Sequence, residues 1–495
     1  MTAMTATVAG PLREAAAARL TQALAGRPLV LAERFTTAMR TCYTGPDAIE
    51  AARPALSVGC YTPWEPAQPV AALVAETRTG VRGPEQRRSW SADMDRSAQR
   101  VLAALATPVI AAWYATDQLR AWAGPGGTLA AIDGGLRARI EDKAFFGQLL
   151  TDAQVPASLH IPAIRCHRLP DLKHLQRRLC SGRLVVQAGA DSGGRGTFFV
   201  TTTDDLARAA AAMSGPYRVS RFVDGWSSNT TVLSVPNRHG SVDVYVDRPS
   251  HKAVGVPQAG IGPGKSAGNT WSMPWPHKAA ARLVDAAVRI AEWAWTTHRM
   301  CGLFGLDAIL TGAGRVHLNE INCRNQGTTE VSAVNQQLRG LPPFLIAHLT
   351  TLLDGTVDWL PDPDTFNAAT ITVSARGGPG PFYLKLRNRH PHPVTVDLPG
   401  PGLYRITAGR LERLHAAAHP AEARAERNEV LLANLPTPGT VCLPDAELGT
   451  AEGLAHHTGG PFAGPHHLSA YGTRILRALD QHLTPCPEPT KEPAS

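Results

Sequence analysis

The chain has 495 residues, 43% hydrophobic and 18% charged, a balance that supports a sizeable folded core, argues against global disorder and leaves room for about three domains. The net charge of +8 is mild for this length; without a block of five or more Lys or Arg, nucleic acid is a weak default and anionic small molecules suit the sign equally well. No apolar stretch approaches the length of a membrane span, and the eight cysteines form no C-x-x-C pair, which predicts reduced thiols and a cytoplasmic protein.

The first twenty residues lack a basic start followed by an apolar core, so no secretory signal is expected. Residues 1–140 mix Ala-rich helical runs with short buried strands at Leu29-Val30-Leu31 and Pro108-Val109-Ile110-Ala111, with a long Pro/Gly/Arg-rich loop predicted between, at 59–92; this is the pattern of an α/β domain. A helix is predicted from Ile140 to Leu150, a strand at 183–187, a Gly-rich loop, a second strand at 197–201, and further strands at 217–223 and 230–235. Apolar positions at Ala280, Leu283, Val284, Ala287, Val288, Ala291 and Trp295 predict an amphipathic helix over 277–298. Strands at 303–311 and 315–321, joined by a tight Gly turn, precede a helix over 329–354. Residues 366–482 read as short strands with Pro/Gly turns and a helix after Tyr471, and the Pro-rich end reads as disordered.

Ala259-Gly-Ile-Gly-Pro-Gly-Lys265-Ser266 nearly matches a phosphate-binding P-loop. That loop requires a helix after it, and Ala-Gly-Asn-Thr-Trp-Ser-Met-Pro-Trp-Pro cannot form one; the segment reads as a flexible Gly/Pro loop.

The most informative segment runs from Gly302 to Arg324. A two-residue turn at Ala313-Gly314 pairs Leu310 with His317, Ile309 with Leu318 and Asp307 with Glu320, and places Asn322 on the same sheet face. Two carboxylates directly opposite each other repel, so this face needs a compensating cation. Three oxygen ligands on a buried sheet suit Mg²⁺, usually held by one or two carboxylates plus substrate phosphates. The bland reading of the pair is a solvent-facing hairpin. Val185-Val-Gln187-Ala-Gly-Ala-Asp191-Ser192-Gly193-Gly194-Arg195-Gly196-Thr197 is a Gly-rich loop between two strands, able to bring backbone N–H groups close to phosphate oxygens, although such loops also occur as plain hairpin connections. Lys143, one of only seven lysines, stands at a helix start just before this region.

In this order the elements resemble the ATP-grasp superfamily over residues 140–355. The resemblance implies that Asp307, Glu320 and Asn322 hold Mg²⁺, that Arg324 stabilises an acyl phosphate, and that Lys143 contacts ATP phosphates. It further implies that the glycine loop (Ser192, Gly193, Gly194, Gly196) closes over the nucleotide, with Arg195 assisting the chemistry, and that Ser220, Arg221, Phe222 and Val223 line the adenine pocket. The chain departs from the family in carrying Gln187 where a lysine is usual, Ser220 and Ser227 where acidic residues are usual, and Cys323 where a proline is usual; Arg195 or Lys252 could replace the missing charge. The implied architecture is an α/β fold with a pre-ATP-grasp domain (1–140), a lobe with the Gly-rich lid (141–225), a metal-binding lobe (226–360), an extra C-terminal domain (361–482) and a disordered tail (483–495). That architecture is most like the pheganomycin-type peptide ligases. The implied activity is ATP-dependent ligation of a nonproteinogenic amino or guanidino acid to an amino acid or peptide amine, with ATP and Mg²⁺ as cofactors. Neither a nucleic acid nor a membrane enters this reading, and a homodimer is only a fold-level analogy. A small-molecule kinase on the same fold and an inactive nucleotide-binding scaffold remain open alternatives. No general base is assigned: the amine step can do without one, and of the two histidines that could serve, His317 reads as hairpin filling and His251 as a loop residue.

Overall fold

A computed structural model describes residues 10–84, 90–189 and 196–487. The N-terminal segment is an α/β unit: five parallel strands in the order Ala72–Val74, Leu56–Gly59, Leu29–Ala32, Val109–Ala111, Thr128–Ala130. The short runs Leu-Val-Leu-Ala and Val-Ile-Ala are buried along their whole length, as expected of strands covered on both faces. The stretch expected as a long loop instead supplies the edge strand Ala72–Val74 and the helix Ala75–Thr79. Their three and five residues are too short for a periodic signal, and pairing with Leu56–Gly59 is what holds the strand in place.

A four-stranded antiparallel sheet follows, in the order Ala163–Cys166, Tyr217–Arg221, Leu184–Ala188, Thr197–Val200. An eleven-stranded sheet is the largest part of the frame, beside a second four-stranded sheet, Leu483–Pro485, Val394–Val396, Val441–Cys442 and Val81–Arg82, and the pair Phe462–Gly464 and His467–Leu468. The large sheet starts at Val316–Asn322 and passes through Gly302–Leu310, Trp226–Pro236, His251–Val254, Ser266–Thr270, Gly380–Arg387, Glu447–Ala455, Glu429–Ala433 and Gly402–Thr407 to Arg410–His415, with Val242–Val246 as a branch on Trp226–Pro236. This sheet runs unbroken across position 360, through the pairing of Ser266–Thr270 with Gly380–Arg387. The helix His277–His298 lays Ala280, Leu283, Ala287 and Ala291 against the sheet's apolar residues Phe304, Leu306 and Leu318, in the same buried cluster.

Four expected elements differ. The helix expected from Ile140 to Leu150 is instead the end of a helix at Ile140, a 3-10 turn over Lys143–Phe145 and a new helix, Phe146–Asp152. The helix over 329–354 is two helices, Thr329–Leu338 and Phe344–Leu352, because Pro342-Pro343 lack the N–H groups a continuous helix needs. Residues 366–376, expected as the beginning of a strand region, belong to the helix Pro363–Arg376, started by Pro363 and capped by the Asp362 side chain on the Thr365 N–H. The tail expected to be disordered begins with the strand Leu483–Pro485, paired with Val394–Val396; the ladder with a neighbouring strand overrides the composition. The rejected P-loop is a turn that enters the strand Ser266–Thr270 with no helix after it. All eight cysteines are free, and among the described residues no helix is long and apolar enough to cross a membrane.

Candidate functional site

Asp307 and Glu320 are directly opposite each other, as the sequence predicts, but the geometry producing this is different. The turn has three residues, with the Thr311 N–H donating to the Arg315 carbonyl at 2.8 Å and Gly314 at φ +71°, a hairpin geometry that glycine favours. Ile309 therefore faces His317 and Leu310 faces Val316, one residue off the expected register. A bulge at Asn319 then shifts the ladder, so that Asp307 meets Glu320 and Gly305 meets Asn322. Without that bulge the two-residue alternation would turn Glu320 to the opposite face.

The same face continues across neighbouring strands. Asn229 is opposite Asp307 on one side, and Ser227 lies between Ile309 and Lys252. Lys252 Nζ is 2.7 Å from Asp307 Oδ2, and Asn229 Nδ2 donates to Asp307 Oδ1 at 2.5 Å. Thr328 Oγ1 donates to Asn229 Oδ1 at 2.9 Å, and Asn229 also donates to Gln326 at 2.6 Å, so the side chain presented to Asp307 is itself held. Lys143, on a turn capped by the Asp142 side chain accepting from the Ala144 N–H, brings its Nζ to 3.4 Å from Glu320. The Lys143 N–H donates to the Gly189 carbonyl at 3.1 Å. That approach requires glycine: a side chain at 189 would meet the Asp142 carboxylate. Arg324 Nη2 donates to Asn322 Oδ1 at 2.7 Å, and its Nε lies 3.3 Å from Glu141.

The electrostatics follow from this crowding of charge in a buried place. Burial works to raise the Glu320 carboxyl, but Lys143, Lys252, Asn322 and Arg324 together prevail and hold it down at about 2. Burial raises Asp307, with the Glu320 charge adding and the Lys252 ammonium opposing. Burial alone would lower Lys252; the two carboxylates raise it instead. The compensating cations that the paired carboxylates require are thus present as Lys252 on Asp307 and Lys143 on Glu320.

Gln187 and Arg218 face each other across neighbouring strands. Arg218 Nη1 donates to Gln187 Oε1 at 2.9 Å and to the Asn319 carbonyl at 3.2 Å, next to Glu320. The guanidinium is buried, and burial pushes it down to about 10 against the pull of Glu320. A cation therefore stands beside the position where the sequence lacks one, on the next strand. Of the other expected site residues, Gly196 lies at the far end of the loop, its carbonyl accepting from the Ala188 N–H at 3.1 Å, whereas Ser192, Gly193, Gly194 and Arg195 lie outside the described residues. Ser220, Arg221, Phe222 and Val223 occupy the end of the strand Tyr217–Arg221 and the residues after it. The N–H groups of Arg221 and Phe222 are already given to Pro162 and Arg183, so two of the expected backbone donors are committed within the fold. Neither histidine stands as a base: His251 is buried between Trp226 and Trp275, with burial holding it down at about 3. His317 faces Ile309 in the hairpin and is likewise lowered by burial.

Asp307, Glu320 and Asn322 offer hard oxygen donors that fit Mg²⁺ completed by phosphate oxygens. Among the described residues no three His, Cys, Asp or Glu side chains cluster as a metal site. Sequence reading missed Arg218, Asn229, Glu141 and Gln326. Arg218 left one faint signal, a charge inside the buried run Tyr-Arg-Val-Ser; the others are brought in by strand register and by a loop.

No protein-family model and no curated protein matches the sequence. Solved structures do. A biotin carboxylase from Campylobacter jejuni, in a β,γ-ATP complex, is 14% identical, with 87% of each chain covered and a TM-score of 0.56. The biotin carboxylase domain of 2-oxoglutarate carboxylase from Hydrogenobacter thermophilus, a dimer with MgADP, ADP and bicarbonate, is 15% identical, with 86% of each chain covered and a TM-score of 0.53. Pyruvate carboxylase from Rhizobium etli is 16% identical at a TM-score of 0.52, covering 86% of this chain and 36% of its own. At such identities the likeness establishes the fold: the chain has the α/β ATP-grasp fold over most of its length.

Proposed function

We propose that this protein is an ATP-dependent carboxylate–amine ligase working through an acyl phosphate, and that its substrates are a nonproteinogenic amino or guanidino acid and the amine of an amino acid or peptide. The observation that carries the reading is the buried sheet face on which Asp307, Glu320 and Asn322 are surrounded by Lys143, Arg218, Lys252 and Arg324. A set of cations around two carboxylates is what binding a polyphosphate with its metal demands.

In this reaction a carboxylate oxygen of the acid attacks the γ-phosphorus of ATP and ADP departs. The amine nitrogen then attacks the acyl carbon, the phosphate leaves, and the nitrogen loses a proton. Asp307, Glu320 and Asn322 would hold Mg²⁺, which neutralises phosphate charge. Lys143 and Lys252, now on the carboxylates, would exchange to phosphate oxygens, and Arg218 takes the part of the lysine absent at 187. Arg324, steadied by Glu141 and Asn322, would stabilise the acyl phosphate. Asn229, locked by Thr328 and Gln326, keeps Asp307 oriented. The scaffold alternative rests on Gln187, and the Arg218 guanidinium bonded to that same side chain weakens it.

The test is incubation with ATP, Mg²⁺, a panel of amino and guanidino acids and short peptides, followed by mass spectrometry and phosphate analysis. A ligase yields ADP, phosphate and the condensed product only when acid and amine are both present. ADP with a phosphorylated substrate and no free phosphate would establish a kinase instead, and no turnover with any pair would leave a binding scaffold.

A further inference from the structure

The parallel sheet runs outward in both directions from its central strand Leu29–Ala32, and in such sheets ligands bind in the crevice at the carboxyl ends of the strands where the order reverses. Here that crevice lies between the ends of Leu29–Ala32 and Val109–Ala111, where Glu33 and Trp113 emerge. A recess of about 50 Å³ occupies it. Its opposite wall is the segment just after Arg324, Asn325 to Glu330, tied to the crevice by the Asn325 N–H donating to the Trp113 carbonyl at 3.2 Å. Glu452 closes it from the large sheet.

The lining is lopsided. Three carboxylates, Glu33, Glu330 and Glu452, face the recess, and no Lys or Arg is among the described residues that line it. The nearby cations are occupied: Arg40 lies between Glu330, at 2.7 Å, and Glu452, Arg34 pairs with Glu447 at 2.6 Å, and Arg324 bonds Asn322 and Glu141. Glu33 is 5% exposed, and its Oε1 has no hydrogen-bond partner. Leaving a carboxylate oxygen buried and unpartnered is costly; burial pushes this carboxyl well up against the pull of Arg324, the Trp113 N–H and Arg34, and Glu330 is raised to about 8. Met39, Leu345 and Leu349 make the remaining wall apolar. The volume admits a head group of a few heavy atoms rather than a whole amino acid.

We propose that this recess binds a positively charged nitrogen group, an ammonium or a guanidinium on a short apolar stem, carried by the amine-bearing substrate, with Glu33 as its counter-carboxylate and Glu330 beside it. The assignment of that group to the amine-bearing substrate rests on the ligase reading; the binding itself does not.

The test is a ligand-observed NMR titration of the full chain, without nucleotide, at about 0.15 M salt so that loose surface attraction is screened. The probes are propylamine and propylguanidine, against their neutral counterparts butanol and propylurea. The cations are expected to bind at least about 10-fold more tightly, the scale of a charge-assisted hydrogen bond to a buried partner. Whichever of the two binds better identifies the head group. Glu33→Gln should abolish the preference and Glu33→Asp should keep part of it. Propylurea binding as well as propylguanidine, or an undiminished preference in Glu33→Gln, overturns the assignment. If no acid–amine pair turns over yet Glu33-dependent cation binding persists, the ligase reading fails and the recess stands. If ligation proceeds while the cations neither bind nor compete, the recess assignment alone fails.

Discussion

Moving the cation between positions 187 and 218 gives the sharpest test of the proposed nucleotide site. Keeping Arg218 charged in a buried place is expensive: burial moves it well down from its ordinary value, to about 10, a cost of roughly 3 kcal/mol. An Arg218→Met substitution recovers that cost and leaves two acceptors, Gln187 Oε1 and the Asn319 carbonyl, unpaired at about 1–3 kcal/mol each. The two effects largely offset, so unfolding free energy should change by no more than about 3 kcal/mol. Nucleotide binding should respond differently. Losing one charge-assisted contact to phosphate, about 1.5–3 kcal/mol, raises the KM for MgATP by about 10- to 150-fold. Positions 187 and 218 are directly opposite, with Cβ atoms about 5 Å apart, so Gln187→Lys added to Arg218→Met should restore most of the affinity. ADP release measured against MgATP, alongside urea unfolding of the same variants, reads both quantities. An unchanged KM in Arg218→Met, or a double variant no better than the single one, would refute the argument that Arg218 does the work of the missing lysine.

Further consequences follow from the site and the core around it. Asp307→Asn combined with Glu320→Gln should lower ADP formation by at least about 100-fold if these carboxylates hold the metal that neutralises phosphate charge; wild-type turnover in that variant would sink the metal assignment. A side chain at Gly305 would overlap the Gln326 carboxamide, so Gly305→Ala should displace Gln326, loosen Asn229 and Asp307, and destabilise the fold by about 1–3 kcal/mol, read as a shift in the urea midpoint. His251 sits near 3 in the folded chain instead of its ordinary 6.5, so below about pH 6.5 the unfolded chain takes up a proton that the buried ring refuses. Its contribution is complete above that pH, declines as the pH falls towards 3, and is down by about 2 kcal/mol at pH 5. His251→Phe should remove this part of the acid sensitivity, and an unaltered slope of stability against pH would contradict the assignment. Arg40→Met leaves Glu330 and Glu452 buried without their shared cation and should cost about 3–5 kcal/mol, measured by denaturant unfolding.

The parts of this fold whose physics is local can be read directly from the residues in order. The long helix His277–His298 shows its apolar face in spacing alone, the short apolar runs Leu29–Leu31 and Val109–Ala111 announce buried strands, and a P-loop without a helix after it can be rejected on its own residues. Asp307, Glu320, Asn322 and Arg324 were legible because one hairpin carries them all, and a hairpin's register follows from its turn. Even there the prediction reached the right pair through the wrong turn: a three-residue turn moves the ladder by one, and the bulge at Asn319 moves it back.

Tertiary structure alone decided everything that depends on which strands lie side by side. Position 187 shows no cation, and only its pairing with 218 reveals that one is supplied from the next strand. Asn229 becomes Asp307's partner through a register between strands 78 residues apart in sequence. His251, read from the sequence as a loop residue, opens a strand and is closed between two tryptophans. The edge strand in the stretch expected as a loop and the strand Leu483–Pro485 exist because a neighbour pairs with them. The acidic recess gathers Glu33, Glu330 and Glu452 from three distant parts of the chain. Hydrophobic period and turn chemistry act over a few residues and can be read in order; the low dielectric that gives a buried charge its meaning is a property of the packed fold.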